Sequence, residues 1–315
     1  MNINKLKIVF FGTANIALPV LESLFRNHEV VAVVTSPDAL VGRKKELTES
    51  PVSVLAKEMK VALLKPENVK QIEFVNQLKS FGADIFVVVA YGKILPSQII
   101  NLPRYKTLNV HFSLLPKYRG ASPIQTAILN GETKTGTSIF VLDESMDTGP
   151  VIAQELINID PDDNYITLPL KLAQRSAKLL IGVLPGFVDG SVKPLPQDDS
   201  SATYTRILTK ADGKIDFHKT ASEIYNQFRA FSPWPGIWTE YVGKTLKILD
   251  CVPIEMQNQN VADTYGPGTV LPGGIVACGS GTFLEIVSLK PEGKNEMKIG
   301  DFLNGNREFV GSVLK

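Results

Sequence analysis

The segment ADIFVVVAYG, residues 83–92, is a continuous apolar run that ends in a glycine. Three similar runs lie in the first half of the chain: KIVFFG (7–12), VVAVVTS (30–36) and TLNVHFS (107–113). Amphipathic segments separate these runs, at residues 16–25, 52–59 and 69–80. Strands without polar alternation are buried on both faces by the helices between them. The pattern therefore predicts an α/β fold with a Rossmann-like, mostly parallel sheet.

The composition changes near Gly186, where Gly, Pro, Ser and Asp become frequent. This change predicts a linker over residues 189–205, between a first domain at 1–188 and a second at 206–315. One amphipathic segment opens the second domain, and short strand candidates follow it: TEYVGKTLKIL (239–249), GTVLP (268–272), GIVACG (274–279) and TFLEIVSL (282–289). Because glycines punctuate these runs, the second domain is predicted to be a small OB-like β-barrel.

The overall composition excludes several classes of protein. The chain is 44% hydrophobic, which is too apolar for a disordered protein, and its net charge of +1 gives no global attraction to nucleic acid. Cys251 and Cys278 lack the spacing of a metal site, so no metal is predicted. No signal peptide, heptad pattern or apolar run of about 20 residues is present, so a soluble cytoplasmic monomer is expected.

The first turn, FGTANIALPVLESL at residues 11–24, has the position of a nucleotide-binding turn in an α/β sheet. It contains a single glycine, Gly12, where the dinucleotide fingerprint requires three. A nicotinamide oxidoreductase is therefore disfavoured, and Gly12 is expected to let the first helix pack on the sheet.

The segment NVHFSLLPKYRGASPIQ, residues 109–125, carries the first candidate site. It holds one of the three histidines of the chain, His111, two positions after Asn109. Residues two apart on a strand point to the same side, and ligands bind at the carboxyl ends of parallel strands. An amide and an imidazole are thus expected to project together from one strand end.

A downstream turn, FVLDESMDTGPVIAQ, supplies three carboxylates, Asp143, Glu144 and Asp147, of which any one could orient the imidazole. An amide, an imidazole and a carboxylate suit acyl transfer, because the first two donate to a developing oxyanion. No nucleophile-elbow motif is present, so direct transfer to an amine is favoured over a covalent acyl-enzyme.

Together with MDTG at residues 146–149, the segment 109–125 resembles the signature of the 10-formyltetrahydrofolate-dependent formyltransferases. The resemblance covers the whole chain. Within the family, the chain most resembles the members that act on methionyl-tRNA. It is carried by FGTANIALPVLESL, by VGRKKELTESPVSVLA (41–56) as the inserted loop, by VVVAYGKILP (87–96) and by ADGKIDFHKTASEIYNQFRAFSPWPGIWT (211–239).

The resemblance implies formyl transfer from 10-formyltetrahydrofolate to the α-amino group of methionine on initiator tRNA. It assigns catalysis to Asn109, His111 and Asp147. It assigns the folate pocket to Tyr91, Gly92, Ile94, Leu95, Ser113, Leu114, Leu115 and Pro116. The tRNA would meet the basic loop residues Arg43, Lys44 and Lys45, with Lys210 and Lys247 among the lysines available on the second domain. Trp234 and Trp238 are expected to pack in the protein rather than to stack on bases.

Two further hypotheses stay open at this point. A formyltransferase for an amino-sugar nucleotide would keep the first-domain site but would not need the basic loop. A non-catalytic RNA-binding protein with a barrel domain belongs to a different class, and nothing in its role would demand Asn109, His111 and Asp147 together.

Overall fold

The computed structural model describes residues 5–41, 46–255 and 264–315. The chain divides into two compact units. The first comprises Met1–Pro123, Lys134–Asn158 and Pro169–Thr205, and the second Ile124–Thr133, Ile159–Leu168 and Arg206–Lys315. Within the described ranges, no helix has the length and apolar character needed to cross a membrane.

The described residues up to position 205 form the strands β1 (Lys7–Gly12), β2 (Glu29–Val34), β3 (Ala39–Val41), β4 (Glu46–Thr48), β5 (Ala62–Leu64), β6 (Ile85–Val89), β7 (Thr107–His111), β8 (Arg119–Gly120), β9 (Lys134–Val141), β10 (Val151–Asn158) and β11 (Tyr204–Thr205). Six α-helices alternate with them: α1 (Leu18–Asn27), α2 (Pro51–Glu58), α3 (Ile72–Ser80), α4 (Ser97–Ile100), α5 (Pro123–Leu129) and α6 (Thr167–Asp189).

The main sheet of the first unit has seven strands in the order β10-β9-β7-β6-β1-β2-β5. The strands from β7 to β5 are parallel, and β9 and β10 are antiparallel additions at one edge. This mostly parallel α/β sheet confirms the fold prediction. The chain runs outward from β1 through β2 to β5 and then continues on the other side with β6 and β7. The order thus reverses between β1 and β6, where such sheets bind ligands.

Burial explains why these runs form strands. All five residues of β6 are buried, as are all residues of β1 after Lys7. At the switch point, Thr13 ties the first turn to the end of β6, since its N–H donates to the Ala90 carbonyl and its hydroxyl to the Tyr91 carbonyl. A Cβ on Gly12 would lie 3.1 Å from Ala17 and 2.6 Å from the Phe10 ring, so this turn is closely packed, as expected.

The second unit is built on an antiparallel sheet, which confirms the predicted β domain. Its elements are α7 (Ala221–Phe231), β12 (Ile237–Tyr241), β13 (Lys244–Ile254), β14 (Val270–Leu271), β15 (Ile275–Ala277), β16 (Phe283–Pro291), β17 (Met297–Lys298) and α8 (Ile299–Gly305). The strand order is β12-β13-β16-β15-β14, with β17 beside β16.

The last residues of the chain connect the two edges of this sheet. The Leu314 N–H donates to the Gly268 carbonyl, and the Ser312 carbonyl accepts from Val270 N–H on β14. Lys315 exchanges two backbone hydrogen bonds with Glu240 on β12. The C-terminal segment therefore closes the sheet into a barrel-like arrangement, which satisfies edge groups that would otherwise be unpaired.

Candidate active site

Asn109 and His111 lie on β7, between β6 and β9 in the sheet. Asn109 is paired with Val88 of β6, and His111 with Ser138 of β9. The Asn109 side chain is half-buried and makes no hydrogen bond to the part of the chain that the structure describes. Its amide N–H groups are therefore available to a ligand at the carboxyl end of the sheet.

The His111 imidazole is 6% exposed and faces two oxygen atoms. Its Nε2 lies 2.9 Å from the Tyr118 carbonyl oxygen, and its Nδ1 lies 3.6 Å from Oδ2 of Asp147. A neutral imidazole carries one N–H and can donate to one of these oxygens, whereas the protonated ring can donate to both. The carboxylate of Asp147 is thus positioned to balance a positive charge on the ring.

The structure distinguishes the three carboxylates of the β9–β10 turn. Asp147 is the one beside His111, and its Oδ2 also accepts from the Gly120 N–H at 2.7 Å. Asp143 instead accepts from the Thr148 hydroxyl at 2.9 Å, and Glu144 is exposed. Asp147 has a φ of 55°, a left-handed conformation that costs a non-glycine residue about 1 kcal/mol or more. Its neighbours must therefore hold it in place.

The backbone of Tyr118–Gly120 contacts both members of the His111–Asp147 pair. Its first carbonyl faces the imidazole, and its last N–H donates to the carboxylate. A Cβ on Gly120, at φ 108°, would lie 2.4 Å from the Thr205 carbonyl oxygen. Glycine is thus the residue that lets this peptide pack against β11 while its N–H reaches Asp147.

The predicted folate residues after β6 occupy different environments. Tyr91 and Leu95 are buried in the core, Gly92 has a φ of 80°, and Ile94 is 79% exposed. The Tyr91 ring packs edge-on against Phe11, with 5.6 Å between the centroids. Its hydroxyl has no hydrogen-bond partner among the described residues, and burial raises the pKa of Tyr91 to about 12.

Tyr91→Phe is expected to raise the free energy of unfolding by about 1 kcal/mol, because it removes an unsatisfied buried hydroxyl. The gain should increase above pH 10, where the unfolded state of the wild type releases the phenol proton that the folded state keeps until about pH 12. Urea denaturation of both proteins at pH 8 and pH 11 measures this difference. A variant less stable than the wild type, or a gain that stays constant with pH, would contradict the account.

The Ser113–Pro116 loop is fixed by hydrogen bonds from β9 and β10. The Ser113 hydroxyl donates to the Lys117 carbonyl at 2.6 Å, so it holds the loop itself. The Leu115 N–H donates to Ser138 Oγ, and Gln154 Nε2 donates to the Leu115 carbonyl. Leu114 and Pro116 are half-buried. These two apolar side chains are the members of the loop that remain partly accessible.

The predicted tRNA contacts fall into two groups. Arg43, Lys44 and Lys45 lie outside the described residues. Glu49 follows that loop and accepts hydrogen bonds from Lys57 and Lys65, of which the first does most to lower the pKa of Glu49. These two lysines therefore balance the negative charge of Glu49.

In the second unit, Lys210 and Lys247 are exposed. Lys247 on β13 lies opposite Trp238 of β12 and Lys290 of β16. The Trp238 indole N–H donates to the Lys210 carbonyl at 3.1 Å, and the Lys214 ammonium lies 5.6 Å from the centre of the ring. Lys210, Lys214 and Lys247 thus lie next to one half-buried tryptophan.

The expectation that Trp234 packs in the protein is wrong, because 56% of this residue is exposed. It lies between two prolines in the turn that joins α7 to β12. This position is outside the regular elements whose apolar faces form the core.

Two residues near the site are absent from the sequence-based prediction. Arg119 is 1% exposed, and its guanidinium donates to the Gln197 side-chain oxygen. Gln197 in turn donates to the carbonyl of Asp147. Arg119 lies within the motif at residues 109–125, but the sequence does not show that this arginine is buried. Gln197 lies in the predicted linker, and nothing in its sequence context indicates this contact.

Comparison with known proteins assigns the chain to a family. Residues 6–184 match the family model described as formyl transferase, and residues 207–307 match its C-terminal domain. The chain belongs to the formyl transferase family. As a member of that family, it is a transferase.

Relatives of this formyl transferase with curated names cover nearly its full length. The methionyl-tRNA formyltransferase of Myxococcus xanthus is 42% identical and covers 97% of both chains. The protein of the same name from Caldanaerobacter subterraneus is also 42% identical, over 98% of this chain and 100% of its own.

Solved structures share the fold at lower identity. An N-formyltransferase from Helicobacter canadensis, in complex with folinic acid and dTDP-3-aminofucose, is 23% identical, with a TM-score of 0.66. The match covers 89% of this formyl transferase and 98% of that chain. HypX from Aquifex aeolicus in complex with tetrahydrofolic acid is 17% identical, with a TM-score of 0.64, over 98% of this chain and 48% of its own.

Proposed function

We propose that this chain transfers the formyl group of 10-formyltetrahydrofolate to the α-amino group of methionine on initiator tRNA, for the initiation of protein synthesis. The observation that carries the proposal is the contact of His111 with Asp147, two positions along β7 from an Asn109 amide that is unpaired among the described residues, in a formyl transferase. The full-length relatives named methionyl-tRNA formyltransferase support the choice of acceptor.

The residues at the carboxyl ends of β6 and β7 fit a reduced folate as co-substrate. A flat, partly apolar ligand with amide groups needs accessible apolar side chains and a small number of polar contacts. Leu114, Pro116 and Ile94 are partly or fully accessible apolar residues, and the Asn109 amide is available as a donor. Tyr91, Leu95 and Ser113 would support this pocket from within the protein, because their side chains are buried.

Asn109 would act on the charge that develops during the reaction. When bound, the co-substrate supplies a formyl carbon that an amine can attack, and negative charge then develops on the formyl oxygen. The Asn109 amide would donate a hydrogen bond to that oxygen. A donor fixed before the reaction stabilises the transition state more than the ground state, by about a hundredfold in rate.

His111 and Asp147 would complete the site by holding charge and moving protons. In its protonated form His111 places a positive charge beside the developing oxyanion, and the Asp147 carboxylate stabilises that form of the ring. The attacking amine must lose a proton and the departing nitrogen must gain one. The His111–Asp147 pair would carry that proton between them.

Two basic regions would bind the tRNA phosphates. The first is the loop with Arg43, Lys44 and Lys45. The second is the exposed surface of the second unit with Lys210 and Lys247, which lie next to Trp238. Lysine contacts to phosphate supply affinity that falls as the salt concentration rises.

The test is formyl transfer from 10-formyltetrahydrofolate to three acceptors: methionyl-initiator tRNA, free methionine and an amino-sugar nucleotide. We expect transfer to the charged tRNA alone. Transfer to the sugar nucleotide instead would support formyl transfer as the reaction but show that methionyl-tRNA is not the acceptor. If none of the three is formylated, the proposed function is wrong, and RNA binding without catalysis becomes the hypothesis to test.

A further inference from the structure

We propose that Gln197, oriented by Arg119, is a positioning residue that holds Asp147 against His111 in the catalytic arrangement. The proposal rests on the function given above. It also assigns a role in the active site to residues 197–205, which the sequence predicts as part of a linker.

The turn that carries Asp147 has little regular structure of its own. It joins β9 to β10 and contains the left-handed Asp147. Gln197 Nε2 donates to two carbonyls of this turn, those of Asp147 and Gly149, at 2.8 Å each. A Cβ on Gly149 would lie 1.8 Å from the Val141 carbonyl oxygen, so the turn packs directly on the end of β9. One side-chain amide thus fixes the backbone on both sides of Thr148.

Arg119 determines which way the Gln197 amide points. The Gln197 Oε1 accepts from Nε of Arg119 at 3.1 Å and from Nη2 at 2.8 Å. A guanidinium has donors and no acceptor, so it can face only the oxygen of the amide. The amide NH₂ is therefore directed at the two carbonyls of the turn.

The Arg119 side chain is held on its other sides as well. Nη2 also donates to Asp199 Oδ1 at 2.7 Å, and Nη1 donates to the Tyr204 hydroxyl at 3.2 Å. Because Arg119 is almost fully buried, these partners, all from residues 197–204, supply hydrogen bonds that water cannot.

The backbone around Arg119 belongs to the same assembly. Arg119 N–H donates to the Thr203 carbonyl at 2.8 Å, and the Thr205 hydroxyl donates to the Arg119 carbonyl at 3.1 Å. The flanking residues Tyr118 and Gly120 contact His111 and Asp147. The segment 197–205 thus fixes Asp147 in two ways, through the Gln197 amide and through the peptide that hydrogen-bonds its carboxylate.

The test is Gln197→Met, which keeps the length of the side chain and removes both hydrogen-bonding groups. Gln77→Met, at an exposed position of α3, is the matched control. Steady-state kinetics use whichever acceptor the wild type formylates. We expect kcat to fall by about 10- to 100-fold, because small misplacements of a catalytic group have effects of this size, with both KM values within about threefold. The pH profile of kcat should change shape, since the coupling of Asp147 to His111 is altered.

A second measurement does not depend on activity. Hydrogen exchange should accelerate in a peptide covering residues 142–150 of Gln197→Met and stay unchanged in the control. If the wild type formylates no acceptor, the function fails while faster exchange in this turn still supports the contact. A kcat within threefold of the wild type would overturn the positioning role. So would a general defect, in which kcat falls, both KM values rise and the free energy of unfolding falls together. Unchanged exchange in residues 142–150 would overturn it as well.

Discussion

Asn109→Ala is expected to lower kcat for formyl transfer by about a hundredfold or more, with little change in KM or in the free energy of unfolding. The loss of rate follows from removing a fixed donor to the developing oxyanion. Stability should be retained because the Asn109 amide makes no hydrogen bond to the described residues, so no buried partner is left unsatisfied.

Steady-state kinetics and urea denaturation of this variant, beside the wild type, measure both effects. Asn27→Ala is the control, since Asn27 is exposed on α1. A fall of less than tenfold in kcat, with stability and folate affinity intact, would remove Asn109 from the oxyanion role.

Asp147→Asn is expected to lower kcat by about a thousandfold or more, because removing the charge of a carboxylate that orients a catalytic histidine lowers kcat by up to about ten-thousandfold. The asparagine oxygen can still accept from the Gly120 N–H, so the turn should keep its position. What disappears is the negative charge 3.6 Å from the His111 ring. In the proposed mechanism, that charge would support His111 while a proton moves between the two reacting nitrogens.

Glu144→Gln is the matched control, because it removes a charge from the same turn at an exposed position. Its kcat should stay within about twofold of the wild-type value. Comparable losses for the two variants would show that the net charge of the turn matters, and not the contact between Asp147 and His111.

The sequence predicts the sheet well because its signal is local. Apolar runs without alternation can be buried only inside a sheet covered on both faces, and each of them became a strand. The spacing of Asn109 and His111 is a local signal too. Because strand geometry has a period of two, it predicts that both side chains point to the same face of β7. The position at the end of β7 follows from the parallel order of the strands.

The chemistry of the turn residues does not choose among the three carboxylates, and in the sequence only the family resemblance points to Asp147. Asp143, Glu144 and Asp147 lie within one turn, and their chemistry is the same. Asp147 is selected by its left-handed backbone and by the Gly120 N–H, which lies on a segment 27 residues away in the chain. Both features depend on tertiary packing, which no local pattern encodes.

The end of α6 and the residues after it also depend on tertiary contacts that the local sequence does not show. Pro185 and Gly186 suggest an end to regular structure, yet α6 continues to Asp189. Proline removes one helical N–H donor and crowds the carbonyl four residues before it, but the N–H groups of the residues after it can still donate within the helix. Beyond the helix, Gln197 and Thr203–Thr205 lie in polar sequence typical of a connector. Their contacts to Arg119 and Asp147 join segments that are 50 or more residues apart along the chain.

Formyl transfer at Asn109, His111 and Asp147 is tested most directly by a single-turnover reaction from 10-formyltetrahydrofolate to methionyl-initiator tRNA. The wild type is compared with the double variant Asn109→Ala/His111→Ala. We expect transfer by the wild type and a rate at least a thousandfold lower for the variant, with binding of folate and tRNA preserved. Transfer by the variant within tenfold of the wild type would place the chemistry elsewhere and contradict the account.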